Sequence, residues 1–88
     1  MKRGKLEIIK DILTIIRDNH NSIKITPLIR KSNMSSSRFK EYYVELQTKK
    51  FIQEVYHNRS RFVSLTDRGS VFLEKYKTII SFIDEFEL

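Results

Sequence analysis

The stretch ITPLIRKSNMSSSRFKEYYVELQTKKFIQEVYHNRSRFVSL, residues 25–65 of an 88-residue chain, carries the pattern that decides the fold. Up to about Lys50 its apolar residues recur at helical spacing. Beyond that point the stretch is rich in β-branched and aromatic residues on either side of a polar turn. This change of period predicts two helices followed by a β-hairpin.

The first predicted helix of the stretch is short. Thr26 offers an N-cap hydroxyl, Pro27 suits the first helical position, and a turn at Ser32-Asn33 follows closely. The alternating run of residues 23–25 before it is predicted to form a short strand.

The second helix of the stretch is predicted from Ser35, its N-cap, to about Lys49. Phe39, Tyr43 and Leu46 follow the i, i+4, i+7 spacing and are expected to face the core. The opposite side of this helix is predicted to carry Ser37, Glu41, Val44 and Thr48.

The hairpin is predicted to pair residues 51–56 with residues 61–65 across a turn at His57–Ser60. A helix over residues 5–19 precedes the stretch, and its expected core residues are Leu6, Ile9, Ile12, Leu13 and Ile16.

A last helix is predicted to begin at Asp67 behind the N-cap Thr66. The expected fold class is therefore α+β, with three N-terminal helices, a β-hairpin and a C-terminal helix. We predict a domain of residues 1–70 and a C-terminal helix of residues 71–88 that serves packing and dimerisation.

Positive charge is concentrated in the middle of the chain, which carries 17 Lys and Arg against 11 Asp and Glu, a net charge of +6. Residues 24–61 alone hold nine basic and three acidic residues, a difference of +6, whereas residues 74–88 hold two basic and four acidic ones, a difference of −2. This concentration favours a polyanionic partner, and the alternative is a basic surface without one.

The residue inventory argues against an enzyme and against a metal site. There is no cysteine, both histidines lie in predicted turns, and two glycines are too few for a phosphate-binding loop. No cofactor is expected. No apolar run is long enough to span a membrane, and we expect a cytoplasmic protein.

Three segments of the chain carry a family resemblance. They are residues 25–29 followed by residues 33–35, the core positions of the helix after Ser35, and the junction Leu65-Thr66-Asp67-Arg68-Gly69 followed by Phe72-Leu73. Over residues 6–83 the chain resembles small archaeal winged-helix, or helix-turn-helix, DNA-binding transcription regulators. The resemblance implies that the hairpin is the wing, that the partner is double-stranded DNA, and that dimers form through the last helix.

The chain departs from this family at two points. Lys50 stands where the family usually has a glycine in the left-handed conformation, so Lys50 either adopts a positive φ at some cost or ends the helix differently. The wing loop is also short, which limits its reach into a groove.

The resemblance assigns the helix after Ser35 to the major groove, where its N-terminal residues meet base edges. The predicted groove residues are Ser36, Ser37, Lys40 and Glu41, with Arg38 at a base or a phosphate. Arg59 of the wing is expected at the minor groove or the backbone, and Arg61 either joins it or pairs with Glu54.

Three further cations are candidates for phosphate contacts. Arg30 and Lys31 belong to the supporting helix, which crosses the DNA backbone in this architecture. Lys49 contacts a phosphate or only stabilises the C-terminus of its helix.

The last helix has a wider apolar face than one core contact requires, because Phe72, Ile79 and Phe86 repeat every seven residues beside Leu73 and Ile80. The residues predicted to join two copies are Ile79, Ile80, Phe82, Ile83 and Phe86. The alternative is a monomer whose first helix covers this surface.

The predicted function is sequence-preferring binding to double-stranded DNA by a homodimeric transcription regulator. The alternatives are a winged-helix module for protein–protein interaction and a non-specific, chromatin-organising DNA binder. RNA binding is disfavoured because no exposed aromatic stacking platform is expected.

Overall fold

The computed structural model describes residues 4–88, and residues 1–3 of the predicted domain of residues 1–70 lie outside that range. The elements in chain order are the helices α1 (Lys5–Asp18), α2 (Ile25–Ser32) and α3 (Ser36–Thr48), the strands β1 (Ile52–His57) and β2 (Ser60–Leu65), and the helix α4 (Asp67–Glu85). The predicted α+β arrangement of three helices, a hairpin and a C-terminal helix is confirmed.

The hydrophobic core is built around α1. The core residues with the least exposed side chains are Ile8, Ile12, Leu13 and Ile16 of α1, Leu28 of α2, Leu46 of α3 and Val63 of β2. The predicted core face of α1 is wrong at one position, because Leu6 is 60% exposed whereas Ile8 is buried. Ile8 lies one helical turn before the buried Ile12, and Leu6 lies on roughly the opposite side of the helix from Ile8.

The start of α2 is earlier than predicted. Lys24, not Thr26, is the N-cap, and the first helical hydrogen bond runs from the Leu28 N–H to the Lys24 carbonyl (3.1 Å). Pro27 is thus the third helical residue. It is tolerated there because N–H groups in the first turn have no partner within the helix.

The predicted strand over residues 23–25 is wrong, since Ile25 already belongs to α2. Only Ile23 pairs, in a single antiparallel bridge with Val63 whose two hydrogen bonds measure 3.1 and 2.8 Å. The bridge attaches β2 to the helical part of the molecule.

The hairpin is antiparallel and closes in a two-residue turn. Ile52 pairs with Leu65 and His57 pairs with Ser60, so both strands run one residue nearer the tip than predicted. Asn58 and Arg59 form the turn with φ of 48° and 64°, the combination that the twist of two-residue hairpins favours. The prediction of a short wing loop is confirmed.

The end of α3 resolves the question raised by Lys50, which adopts a positive φ of 61°. Its N–H donates to the Gln47 carbonyl (3.0 Å), and the Phe51 N–H donates to the Leu46 carbonyl (2.9 Å). These two bonds form a Schellman motif, which satisfies the last carbonyls of the helix.

The start of α4 abuts the link between α3 and β1. The Thr66 hydroxyl accepts from the Gly69 N–H (3.1 Å), as predicted for an N-cap, and donates to the Lys50 carbonyl (2.5 Å). The Thr66 N–H donates to the Phe51 carbonyl (3.1 Å). A Cβ atom at Gly69 would lie 2.2 Å from the Phe51 carbonyl oxygen, so this junction requires glycine.

Candidate nucleic-acid interface

The first turns of α3 present a polar, exposed surface because the opposite face of the helix is anchored in the core. Phe39 and Leu46 are buried and Tyr43 is half-buried. The N-cap prediction is confirmed, since the Ser35 hydroxyl accepts from the Arg38 N–H (3.3 Å). The orientation of α3 is therefore fixed both by packing and by its cap.

The predicted DNA-contacting residues share one property: each of them is exposed. They are Ser36, Ser37, Arg38, Lys40 and Glu41 on the first turns of α3, Arg30 and Lys31 on the last turn of α2, Lys49 at the C-cap of α3, Arg59 at the tip of the wing, and Arg61 on β2. Whether they contact DNA stays a prediction.

Two edges of α3 carry different subsets of these residues. Ser36 and Lys40 line a groove between α3, α2 and the wing, and Arg61 lines the same groove from the wing side. Arg38 and Glu41 line a shallow depression on the other edge, towards α1. The structure thus brings Lys40 and Arg61 together and keeps Arg38 apart from them.

An ion pair connects α1 to the edge of α3 that faces it. Lys5 Nζ lies 2.7 Å from Glu45 Oε1. The hydrogen bond from Lys5 lowers the pKa of Glu45, and the same bond raises the pKa of Lys5. With Arg38 and Glu41 also lining it, this depression holds two cations and two carboxylates.

The predicted phosphate-contacting cations on α2 and at the end of α3 differ in their contacts within the chain. Lys31 Nζ donates to Asn19 Oδ1 (3.3 Å), which directs this cation towards the end of α1. No ion pair involves Arg30 or Lys49 among residues 4–88.

The wing carries one cation in its turn and holds a second one, close to the turn on β2, in an ion pair. Arg59 is exposed in the turn. Arg61 Nη1 lies 3.8 Å from Glu54 Oε1, so the second of the two alternatives for Arg61, pairing with Glu54, is the one observed. Arg59 is therefore the wing cation best placed for a partner.

Two features of this surface escaped the sequence-based assignment. Val44 is 53% exposed and lies among Ser37, Lys40 and Glu41. The helical wheel places Val44 on the solvent side, and an apolar residue in that position was the sequence signal that could have included it in the surface. The other feature is Glu54, which alternation along β1 places in phase with the buried Ile52, on the sheet face that turns inward.

The C-terminal helix is anchored at its start and exposed at its end. Leu73 is buried and Phe72 and Tyr76 are half-buried, whereas Ile79 and Phe82 are 58% and 54% exposed. Of the other predicted dimerisation residues, Ile80 and Phe86 are exposed and Ile83 is half-buried. Helix α4 runs unbroken across the predicted boundary between residues 70 and 71.

A basic groove runs between α1 and α4. Lys10, Arg17 and Lys77 line it together with Ile80. Lys10 Nζ lies 2.7 Å from Asp11 Oδ1, and this hydrogen bond raises the pKa of Lys10.

Within residues 4–88, no helix has both the length and the apolar character needed to cross a membrane.

Comparisons with known proteins agree with this architecture. A sequence profile of the family described as winged helix-turn-helix matches residues 2–84. No curated protein matches the chain significantly.

Solved structures with the same fold come from proteins of low sequence identity. Sso10a-2, a DNA-binding protein from Sulfolobus solfataricus, superposes with a TM-score of 0.75 at 20% identity, covering 97% of this chain and 86% of that one. SSV1 F-93 gives a TM-score of 0.68 at 21% identity, with 98% and 97% covered. AF1382 from Archaeoglobus fulgidus gives 0.68 at 20% identity, with 91% and 90% covered.

Proposed function

We propose that this chain, which belongs to the winged helix-turn-helix family, binds double-stranded DNA through α3 and the wing. The observation that carries the proposal is the exposure of the whole predicted contact set on α3, α2 and the wing, in the part of the chain where the charge excess of +6 is concentrated. The DNA-binding protein Sso10a-2 has the same fold, which supports the proposal.

The roles follow from the chemistry of each side chain. Small serines at positions 36 and 37 allow the N-terminus of α3 to approach the duplex closely. Arg38 is the residue best suited to a bidentate contact with guanine, and Glu41 can accept from the cytosine amino group. Lys40 and Arg59 supply phosphate or minor-groove contacts on the wing side.

A salt titration of duplex binding tests the proposal. If roughly six cations neutralise phosphates, log K falls with log salt at a slope of about −5. Lys40→Ala is expected to reduce the magnitude of that slope by about 1. The matched control is Lys75→Ala, an exposed lysine on α4 outside the proposed surface, which is expected to leave the slope unchanged. Failure of the wild-type chain to bind any duplex at low salt would favour a protein–protein module instead.

The finer part of the proposal is that binding prefers a sequence and regulates transcription. Selection from random duplexes tests it, and Arg38→Ala is expected to relax the preference at one position while costing about 1–3 kcal/mol on the preferred site. Enrichment of no sequence would point to non-specific, chromatin-organising binding.

We further propose that two copies associate through the distal half of α4. Burying each large apolar side chain there contributes about 1.5–3 kcal/mol. Asp84, Glu85 and Glu87 at the end of the chain are acidic, and in an antiparallel pair they would lie near the partner's basic groove of Lys10, Arg17 and Lys77.

The mass in solution, measured by light scattering, tests this association. Ile79→Glu is expected to convert the dimer to a monomer without unfolding it, because Ile79 is exposed within a single copy. Thr78→Glu places the same charge at the neighbouring exposed position and serves as the control. A monomeric wild-type chain at micromolar concentration would contradict the proposal.

A further inference from the structure

An acidic side chain lines the groove between α3 and the wing. Glu54 projects from β1, and its side chain is only 21% exposed. A carboxylate in this place opposes the binding of a polyanion unless it serves another purpose. The contacts of Glu54 identify that purpose.

Glu54 accepts hydrogen bonds from two separate parts of the groove. Its Oε1 atom accepts from Tyr43 Oη (2.7 Å) and from Gln47 Nε2 (3.1 Å), both on α3. Its Oε2 atom accepts from Tyr56 Oη (3.4 Å) on β1, and Arg61 of β2 lies within 3.8 Å. One carboxylate thus joins α3 to both strands of the wing.

One of the two donors on α3, Tyr43, is held in place by the residues around it, whereas Gln47 is exposed. Tyr43 and Gln47 lie one turn apart on the same side of α3, and the Tyr43 ring packs 5.8 Å from the ring of the buried Phe39. Burial, followed by the hydrogen bond to Glu54, raises the pKa of Tyr43, so its hydroxyl stays a donor at neutral pH.

We propose that Glu54 is a positioning residue, whose carboxylate fixes the wing against α3 so that Arg59 at the tip and the N-terminus of α3 meet one duplex as a single rigid unit. This inference rests on the proposed DNA binding. In this proposal Arg61 acts through its contact with Glu54, as part of the positioning network, rather than as a phosphate ligand.

Electrostatics alone and positioning predict opposite signs for the loss of Glu54. Removing a negative charge close to DNA would by itself tighten binding. If Glu54 positions the wing, Glu54→Ala weakens binding by about five- to tenfold, since Arg59 then has to be ordered when the complex forms. Glu54→Gln keeps an acceptor for Tyr43 and Gln47, so it is expected to bind at least as tightly as the wild type.

The experiment measures the affinity for one duplex at a fixed salt concentration by fluorescence anisotropy. The panel consists of the wild type, Glu54→Ala, Glu54→Gln and Tyr43→Phe, each alone and combined with Arg59→Ala. Arg59→Ala should cost about five- to tenfold in the wild type and less than about twofold in Glu54→Ala or Tyr43→Phe. Tyr43→Phe changes no charge and keeps the ring, so it covers the case in which Glu54→Ala fails to fold.

Hydrogen exchange without DNA gives a second readout. Amides of the hairpin are expected to exchange faster in Glu54→Ala than in the wild type, while amides of α1 are unchanged. Folded Glu54→Ala that binds more tightly than the wild type, or an Arg59→Ala cost that stays the same in every background, overturns the inference. A wild type that binds no duplex overturns the proposed function itself, and the two failures are therefore distinct.

Discussion

The substitution Gly69→Ala tests the junction between α4 and the α3–β1 link. In an ordinary helix this change would stabilise by up to about 1 kcal/mol, because alanine is the better helix former. Here the new Cβ would lie 2.2 Å from the Phe51 carbonyl oxygen and has to move to at least 3.0 Å. Such overpacking costs about 1–3 kcal/mol. Displacing that carbonyl also weakens its bond from the Thr66 N–H, which is worth about 1 kcal/mol.

The clash is therefore expected to win, with a net destabilisation of about 2 kcal/mol and a melting temperature lower by about 10 °C for a domain of this size. Thermal unfolding followed by circular dichroism, at one fixed protein concentration, measures it. Gly4→Ala is the control, since no atom lies within 4 Å of a Cβ there. Because Gly4 is the N-cap of α1, this substitution is expected to lower the stability by at most about 0.5 kcal/mol. A melting temperature for Gly69→Ala equal to or above that of the wild type would refute the reasoning.

Three further outcomes are expected from the contacts described above. Lys50→Gly should stabilise by about 0.5 kcal/mol, because relief of the positive φ exceeds the added chain entropy of the unfolded state, whereas Lys50→Ala should gain nothing in thermal unfolding. The raised pKa of Tyr43 means that the unfolded chain ionises first, so stability in urea should fall as pH rises above 10.0 and fall less steeply in Tyr43→Phe; parallel profiles would contradict this. The pKa of Glu45, lowered by Lys5, means that the pair stabilises above pH 4.5 and that this contribution is lost as pH falls through the folded-state pKa, so Glu45→Gln should show a shallower loss of stability in acid.

The sequence predicted the elements whose signals are local. Ser35 and Thr66 cap the helices that their positions indicated, and the alternation of residues 51–65 gave the hairpin. The start of α2 was misplaced because Thr26-Pro27 is a strong local signal, and yet Lys24 can cap the helix with its backbone when Ile23 is held by the bridge to β2. Tertiary pairing decided that boundary.

The exposure of the predicted contact residues could be predicted from the sequence, but the arrangement of the groove between α3 and the wing could not. Every predicted cation is exposed. For the cations on helices this is expected, because an amphipathic helix turns its apolar side to the core and its charged side to solvent. The network around Glu54 required the relative placement of α3 and the hairpin, which depends on contacts between residues far apart in sequence. The same holds for Gly69, whose role depends on a carbonyl at Phe51.

The bonds from Thr66 to the carbonyls of Lys50 and Phe51 have a consequence for the geometry of any target. They attach the start of α4 directly to the end of α3, so that the two helices keep one relative orientation. In a dimer joined through α4, the two copies of α3 would keep one separation and one angular position around the duplex. Paired half-sites would then have to keep one spacing, because insertion of about 5 base pairs would rotate one half-site to the opposite face and insertion of about 10 would move it about 34 Å further along the duplex.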